Sequence, residues 1–294
     1  MSISQRSRAP RKTVEFEASA VRVLHGPEKA SKSSRVILMP KLEIHQFPCL
    51  SDNFGVLIRD ADAGVVASID APDARAVAAA LATQGWRLTH ILTTHHHGDH
   101  TGGNLALKGE TGCTIFGPRA EAAKVPGIDT AFGDGEAFKL GGHEVRVFDT
   151  PGHTAGHISY WIPSANVAFV GDTLFAIGCG RVIEGNHEMM WHSLQKLMGL
   201  PKETAIYCGH EYTQANARFA LTIEPENEAL QKRAKAVDQM RAAGKATLPT
   251  TIGLELETNP FLRPNSPAIQ KRLGMAGKPE WQIFGEIRER KNRS

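Results

Sequence analysis

Apolar positions along the chain follow two periods. Residues 42–47 and 54–59 read as strands, with the turn formers Ser51, Asp52 and Asn53 between them, and residues 65–70 continue as a third. From 73 to 84 the period lengthens: an Ala-rich stretch sets Val77 and Leu81 one turn apart and predicts an amphipathic helix. Residues 88–94 form a short apolar strand, and a helix is expected to begin after Thr101. Residues 136–149 predict a hairpin around Gly141 and Gly142 with Val145 and Val147 on one face, and 158–162 and 167–170 predict two more strands. Strands interleaved with helices before 210 predict a layered α/β domain.

Beyond Glu211 the strand signal fades. Leu230, Ala234 and Val237 recur at i, i+4 and i+7, and further helices are predicted over about 267–273 and 279–291. The expected organisation is therefore a catalytic domain over 39–210 and a helical substrate-binding domain over 211–294. Residues 1–38 hold eight Lys/Arg against three Glu, are Ser-rich and lack a period. They are expected to be a disordered basic extension, although a targeting presequence shares that composition.

Composition narrows the function classes. The 294 residues are 41% apolar and 22% charged, a folded globular profile. No apolar run approaches the roughly 18 residues that a membrane helix needs, so no membrane partner is expected. A net charge of +3 gives no electrostatic reason for a nucleic-acid partner. Cys49, Cys113, Cys179 and Cys208 are far apart with no C-x-x-C pair, so free thiols in a cytoplasmic protein, expected to be a monomer, are the reading. The one compositional oddity is histidine: of 13, four (His95, His96, His97 and His100) fall within six residues.

That cluster, H-x-H-x-D-H from His95 to His100, offers the imidazole and carboxylate ligands that zinc, iron and manganese take up. Three further segments repeat one layout, an apolar strand running into a candidate ligand: His153 after 145–148, Asp172 after 167–170 and His210 after 205–208. In open α/β sheets, ligands bind beyond the carboxyl ends of strands. Seven candidate ligands (His95, His97, Asp99, His100, His153, Asp172 and His210) exceed the four that one zinc usually takes. They divide into two sites sharing a carboxylate, with His95 and His97 able to point the same way from an extended segment. Two dications offset by two aspartates and a hydroxide would leave about +1, suited to stabilising an oxyanion during hydrolysis.

H-x-H-x-D-H with T-P-G-H-T (150–154), G-D-T-L-F (171–175) and C-G-H-E-Y (208–212) resembles the metallo-β-lactamase superfamily, and within it glyoxalase II, the hydroxyacylglutathione hydrolases. The resemblance covers about residues 40–294, helical C-terminal part included. It implies a metallo-β-lactamase-like αββα sandwich with a helical C-terminal domain. It further implies one metal held by His95, His97 and His153, a second held by Asp99, His100 and His210, and Asp172 bridging. Two divalent ions per chain are expected, zinc foremost, with iron and manganese compatible with the same ligands. Asp99 would also orient a metal-bridging hydroxide.

Glutathione would be gripped by Arg181, Tyr212, Arg288 and Lys291. Two positions after Arg181 this chain has Ile183, where some relatives are expected to have Tyr, and the difference removes one hydrogen bond to glutathione. Arg288 and Lys291 lie three residues apart, on one face of a helix, and suit a substrate with two carboxylates. Tyr212 taken alone reads more often as a packing residue. His96 is expected to point away from its neighbours' metal, His157 to be structural, and Cys179 to have no nucleophilic role.

The implied reaction is hydrolysis of an S-(2-hydroxyacyl)glutathione, typically S-D-lactoylglutathione, to a 2-hydroxy acid and glutathione, the second step of methylglyoxal detoxification. The alternative is a mononuclear-iron glutathione persulfide dioxygenase on the same fold.

Overall fold

The structure, a computed structural model, describes residues 41–294. The basic extension expected over 1–38 lies outside the described residues. Two six-stranded sheets form the centre. The first runs β1 (Leu42–Cys49), β2 (Asn53–Asp60), β3 (Val65–Ile69), β4 (His90–Leu92), β5 (Thr114–Pro118) and β6 (Thr130–Phe132), in sequence order. Its first three strands are an antiparallel meander, and β3 to β6 are parallel. The second sheet contains β7 (Ala137–Leu140), β8 (His143–Asp149), β9 (Ile158–Ile162) and β10 (Val167–Phe169). A two-stranded ribbon follows, β11 (Leu174–Phe175) and β12 (Gly178–Cys179), before β13 (Ala205–Tyr207) and β14 (Thr250–Thr251) complete the second sheet in the order β14-β13-β10-β9-β8-β7.

The period of two sorts side chains into layers. In β2, Val56 and Ile58 face the second sheet while Leu57 faces away; in β10, Val167 and Phe169 face inward and Ala168 outward. The inter-sheet core joins these to Ile69, Leu92, Val145, Val147, Tyr160 and Ile162. On the outer face of the first sheet lie α1 (Ala74–Gln84), the short α2 (Gly98–Thr101) and α3 (Asn104–Thr111), with Val77, Leu81 and Leu107 packed on Leu57, Ile91 and Ile115. Asp73 caps α1 by accepting from the Ala76 N–H at 2.8 Å, and Gly85 closes it in a left-handed conformation.

The outer face of the second sheet is covered by α4 (His187–Met198), α5 (Thr213–Ile223), α7 (Ile252–Thr258), α8 (Pro267–Leu273) and α9 (Glu280–Asn292), while α6 (Glu228–Ala242) packs outside them, on α5 and Ile177. The arrangement is the αββα sandwich that the resemblance implies, with a helical C-terminal region. The hairpin expected around Gly141 and Gly142 is β7-β8, with Leu140 opposite His143. The predicted helices of the last eighty residues are α6, α8 and α9.

Candidate metal centre and adjoining cleft

Strand direction brings the ligand candidates together. β8, β10 and β13 run the same way in the second sheet, since β8 and β10 are each antiparallel to β9 and β10 is parallel to β13. Their carboxyl ends therefore open at one edge, delivering His153, Asp172 and His210 there. The segment after β4 brings His95 and His97 to the same place, and the short α2 starts at Gly98, so that Asp99 and His100 leave on a helical turn; the helix expected after Thr101 is α3, from Asn104.

The donor atoms converge. His97 Nδ1 lies 3.2 Å from His95 Nε2 and 3.0 Å from His153 Nε2. Asp172 Oδ2 lies 3.4 Å from His153 Nε2 and 3.3 Å from His210 Nε2, and its Oδ1 is 3.4 Å from His100 Nε2. Asp99 Oδ2 is 3.5 Å from His210 Nε2 and 3.7 Å from His100 Nε2. With metal–nitrogen bonds of about 2.1 Å, neighbouring donors of a tetrahedral zinc stand about 3.4 Å apart, so these separations fit a metal. The decisive observation is that His100 Nε2 and Asp172 Oδ1 are buried with no hydrogen-bond partner. Groups like these are costly unless something else satisfies them.

The far side of each ring is tied down. His100 Nδ1 is 2.8 Å from Asp70 Oδ2, His210 Nδ1 is 2.9 Å from Asp52 Oδ1, His153 Nδ1 donates to the Arg181 carbonyl at 2.8 Å, and His95 Nδ1 is 3.0 Å from Thr94 Oγ1. These partners fix which nitrogen faces the centre, and their loss typically weakens a metal site. Asp70 also accepts from the Thr94 N–H and hydroxyl, and it does so from a left-handed backbone at φ 55°. Such strain in a non-glycine residue persists where the surroundings over-determine it. Two glycines make room for the centre: a Cβ on Gly171, at φ 46°, would stand 2.6 Å from His157 Nε2 and from Thr94 Oγ1, and one on Gly209 would stand 2.5 Å from Asp172 Oδ1.

Electrostatics prepares the ligand form of some donors and opposes it at His100 and His210. Burial, reinforced by the surrounding histidines, holds His95 well below its ordinary pKa, and burial lowers His97 and His153 as well. For His100 burial works the same way, but Asp172 and Asp70 outweigh it and push the imidazole up to about 9. His210 is likewise raised, with Asp172 and Asp52 overcoming burial. Burial opposes the Asp172 carboxylate, yet His100, His210 and His153 hold it well below the usual carboxylate range. Neutral imidazoles and ionised carboxylates are the forms that bind metals.

A cleft of about 350 Å³ adjoins the centre, and its lining includes His153, Asp172, Arg181, Tyr212, Arg288 and Lys291. The Arg288 side chain is anchored: it is 5% exposed, donates to the Cys179 carbonyl at 2.8 Å and to Asn292 Oδ1 at 3.1 Å, and stacks 5.1 Å from the Phe261 ring centroid. Lys291 sits 5.3 Å from the Phe219 centroid, its ammonium disfavoured by burial and then by Arg288 and Arg218. Tyr212 stacks flat on His210 at 4.7 Å and its hydroxyl reaches Asp52 Oδ1 at 3.4 Å. Ile183 is 53% exposed and does not line the cleft.

His96 points away from the donors, towards Glu121 and Glu184. His157 is fully buried, accepts from the Asp172 N–H at 3.1 Å and meets Thr150 and Thr173 at its other nitrogen. Burial pushes the Cys179 thiol up to about 11, which suits a packed residue rather than a nucleophile. Of the residues that hold these ligands, Asp52 and Asn53 are marked in the sequence only as turn formers, and Asp70 and Glu121 not at all. Asp70 could have been, since it follows β3 as the other candidates follow their strands.

A family profile for the metallo-beta-lactamase superfamily matches residues 60–210, and one for the hydroxyacylglutathione hydrolase C-terminus matches 211–294. The hydroxyacylglutathione hydrolase of Brucella anthropi is 55% identical over 255 residues, 87% of this chain and 98% of that protein. The chain belongs to the hydroxyacylglutathione hydrolase family. The family's Brucella ovis representative is 56% identical over 252 residues, 86% of this chain and 98% of its own. Among solved structures, ETHE1 from Myxococcus xanthus superposes with a TM-score of 0.60 at 27% identity, covering 84% of this chain and 90% of that one. The BLEG-1 B3 metallo-beta-lactamase, at a TM-score of 0.57 and 23% identity over 75% of this chain and 100% of its own, shares the fold. Metal dependence thus comes with the family, and the converging histidines and aspartates are where this member can meet it.

Proposed function

We propose that the protein hydrolyses S-(2-hydroxyacyl)glutathione thioesters, with S-D-lactoylglutathione as its substrate, releasing glutathione and D-lactate in the second step of methylglyoxal detoxification. The observation that carries this reading is the continuity of the donor cluster with a cationic cleft in a chain whose relatives bear the hydroxyacylglutathione hydrolase name. Two divalent ions, zinc foremost, would be held by His95, His97 and His153 and by Asp99, His100 and His210, with Asp172 between them. Such ions supply Lewis-acid polarisation of a carbonyl and an acidified water.

The chain's own residues do the rest. Asp99, whose Oδ2 and backbone carbonyl both accept from the Asn53 amide at 3.3 and 3.1 Å, is held where it can accept a hydrogen bond from the attacking water and orient it. Arg181, Arg288 and Lys291 supply positive charge for the two glutathione carboxylates, Arg288 in an orientation pre-set by its bonds to Cys179 and Asn292. Tyr212, braced on His210, offers an aromatic wall. Ile183, exposed beside Arg181, supplies no polar contact. Water adds to the thioester carbonyl carbon to give a tetrahedral oxyanion; as the carbonyl re-forms the C–S bond breaks, and the leaving thiolate, far less basic than an alkoxide, needs no strong acid and takes its proton from solvent.

The division of labour follows the chain: residues 39–210 carry the metal ligands and 211–294 most of the substrate contacts. The proposed state is a monomer. Four buried unpaired cysteines support a cytoplasmic setting. The persulfide dioxygenase alternative is not favoured, because the hydroxyacylglutathione hydrolase profile extends through the helical C-terminal region.

The test is steady-state hydrolysis of S-D-lactoylglutathione on protein whose metal has been counted. About two ions per chain and turnover abolished by chelation are expected. One iron per chain with oxygen uptake on glutathione persulfide, or two ions without thioester turnover, would overturn the reading.

A further inference from the structure

The first turn after β5, a 3₁₀ segment from Arg119 to Lys124, buries Glu121 at 4% exposure. A buried carboxylate is expensive unless donors replace water. Among the described residues no Lys or Arg pairs with it, and its ion-pair neighbour is His96, whose Nδ1 lies 3.1 Å away. Its donors come instead from two loops. Oε1 accepts the His96 backbone N–H at 2.8 Å and the Thr154 hydroxyl at 3.2 Å, and Oε2 accepts the Gly156 backbone N–H at 3.0 Å. The second loop seats directly on this turn: a Cβ on Gly156 would stand 2.9 Å from Ala120 Cβ and 3.0 Å from the Glu121 nitrogen.

These attachment points bracket metal-ligand candidates. The His96 N–H lies between His95 and His97 on the segment leaving the first sheet. Thr154 and Gly156 follow His153 on the loop between β8 and β9 of the second sheet. Three imidazoles that must converge therefore sit on two loops from different sheets, and one carboxylate, outside the cleft lining, holds both loops. We propose that Glu121 is a positioning residue that sets the His95–His97–His153 triad by clamping its two loops together.

The chemistry requires a carboxylate. The two backbone donors need an acceptor at each oxygen, whereas a glutamine would present one acceptor and turn an N–H towards the other donor. The clamp touches the Asp99–His100–His210 group at no point, since those residues are oriented by Asp52, Asn53 and Asp70. Its loss should accordingly weaken one ion and spare the other.

The proposal rests on the two-ion reading above, and its test separates the two. Metal-free wild type, Glu121→Gln, Glu121→Ala and Thr154→Val proteins are titrated with cobalt(II), following the visible spectrum and competition with a chromophoric chelator. In both Glu121 variants the affinity for one of two ions is expected to fall 10- to 100-fold with an altered spectrum, while the other ion keeps wild-type affinity and bands. Thr154→Val, which removes only the hydroxyl donor, should fall less, and in the variants kcat on the thioester should drop more than KM rises. Wild-type affinity in Glu121→Gln, or equal weakening of both ions, would overturn the proposal, and the Gln variant decides should the Ala variant fail to fold. Wild-type protein that binds two ions without cleaving the thioester would sink the proposed reaction, while the affinity comparison would still judge the clamp.

Discussion

His95 and His100 are both buried imidazoles of one cluster, yet their surroundings shift them in opposite directions. Burial and neighbouring imidazoles keep His95 neutral, whereas Asp172 and Asp70 overcome burial and push His100 from 6.5 up to about 9. A folded-state pKa above the unfolded value stabilises the metal-free protein fully below about 6.5, and that contribution is lost as the pH rises through about 9. A ligand imidazole must be neutral, so metal uptake below pH 9 has to expel the His100 proton. Apparent affinity is expected to rise with pH, by up to about tenfold per unit for one proton, until about pH 9. Calorimetry at pH 7 in buffers of different ionisation enthalpy should register at least one proton released per chain loaded, and buffer-independent heats would contradict this. The seven donors were legible in the sequence because each follows an apolar strand or falls in a cluster. The residues that orient them were not. Asp52 meets His210 across 158 positions and Glu121 meets Gly156 across 35, and a carboxylate on a turn carries no local mark of such a partner.

Most elements with a clean period are legible in the chain, and the others are missed for more than one reason. β5 ends in Gly117-Pro118 and β6 has three residues, too little for a period to register. α4 was missed although Met190, Trp191, Leu194 and Leu197 bury one helical face, with Asn186 as its cap. α7 carries a buried device that no pattern announces. Glu255, fully buried, receives Arg233 of α6 and Thr250 at one oxygen, and the Ile177 N–H and Asn259 amide at the other. One carboxylate thus joins α6, α7 and the connection between β11 and β12, the ribbon that carries the cleft residue Cys179. Arg233→Ala would strand that charge, for which a cost of about 3–5 kcal/mol is expected. A thermal or denaturant midpoint close to wild type would show that Glu255 is satisfied without its arginine.

The two profile matches meet between residues 210 and 211, and the strand signal fades at the same place, which invites a picture of two bodies. The packing argues for one. A single apolar cluster holds Ala168, Val170, Leu174 and Ile206 together with Phe219, Phe261, Ile283 and Phe284, so the outer face of the second sheet has the C-terminal helices as its cover. The cleft is joined in the same way, with His153 and Arg181 from one side of residue 210 and Tyr212 and Lys291 from the other. A fragment ending at residue 210 keeps all seven donors but exposes that sheet face, a contiguous apolar patch of the kind that drives aggregation. Expressed as residues 41–210, it is expected to bind a hydrophobic dye, to lose the near-ultraviolet signature of fixed packing, and to take up cobalt(II) far more weakly than the full chain. A soluble, dye-silent fragment with full-chain metal affinity would show that the metal centre stands on its own. The helices would then serve the substrate alone, whereas the shared core makes them part of what holds the ligands in place.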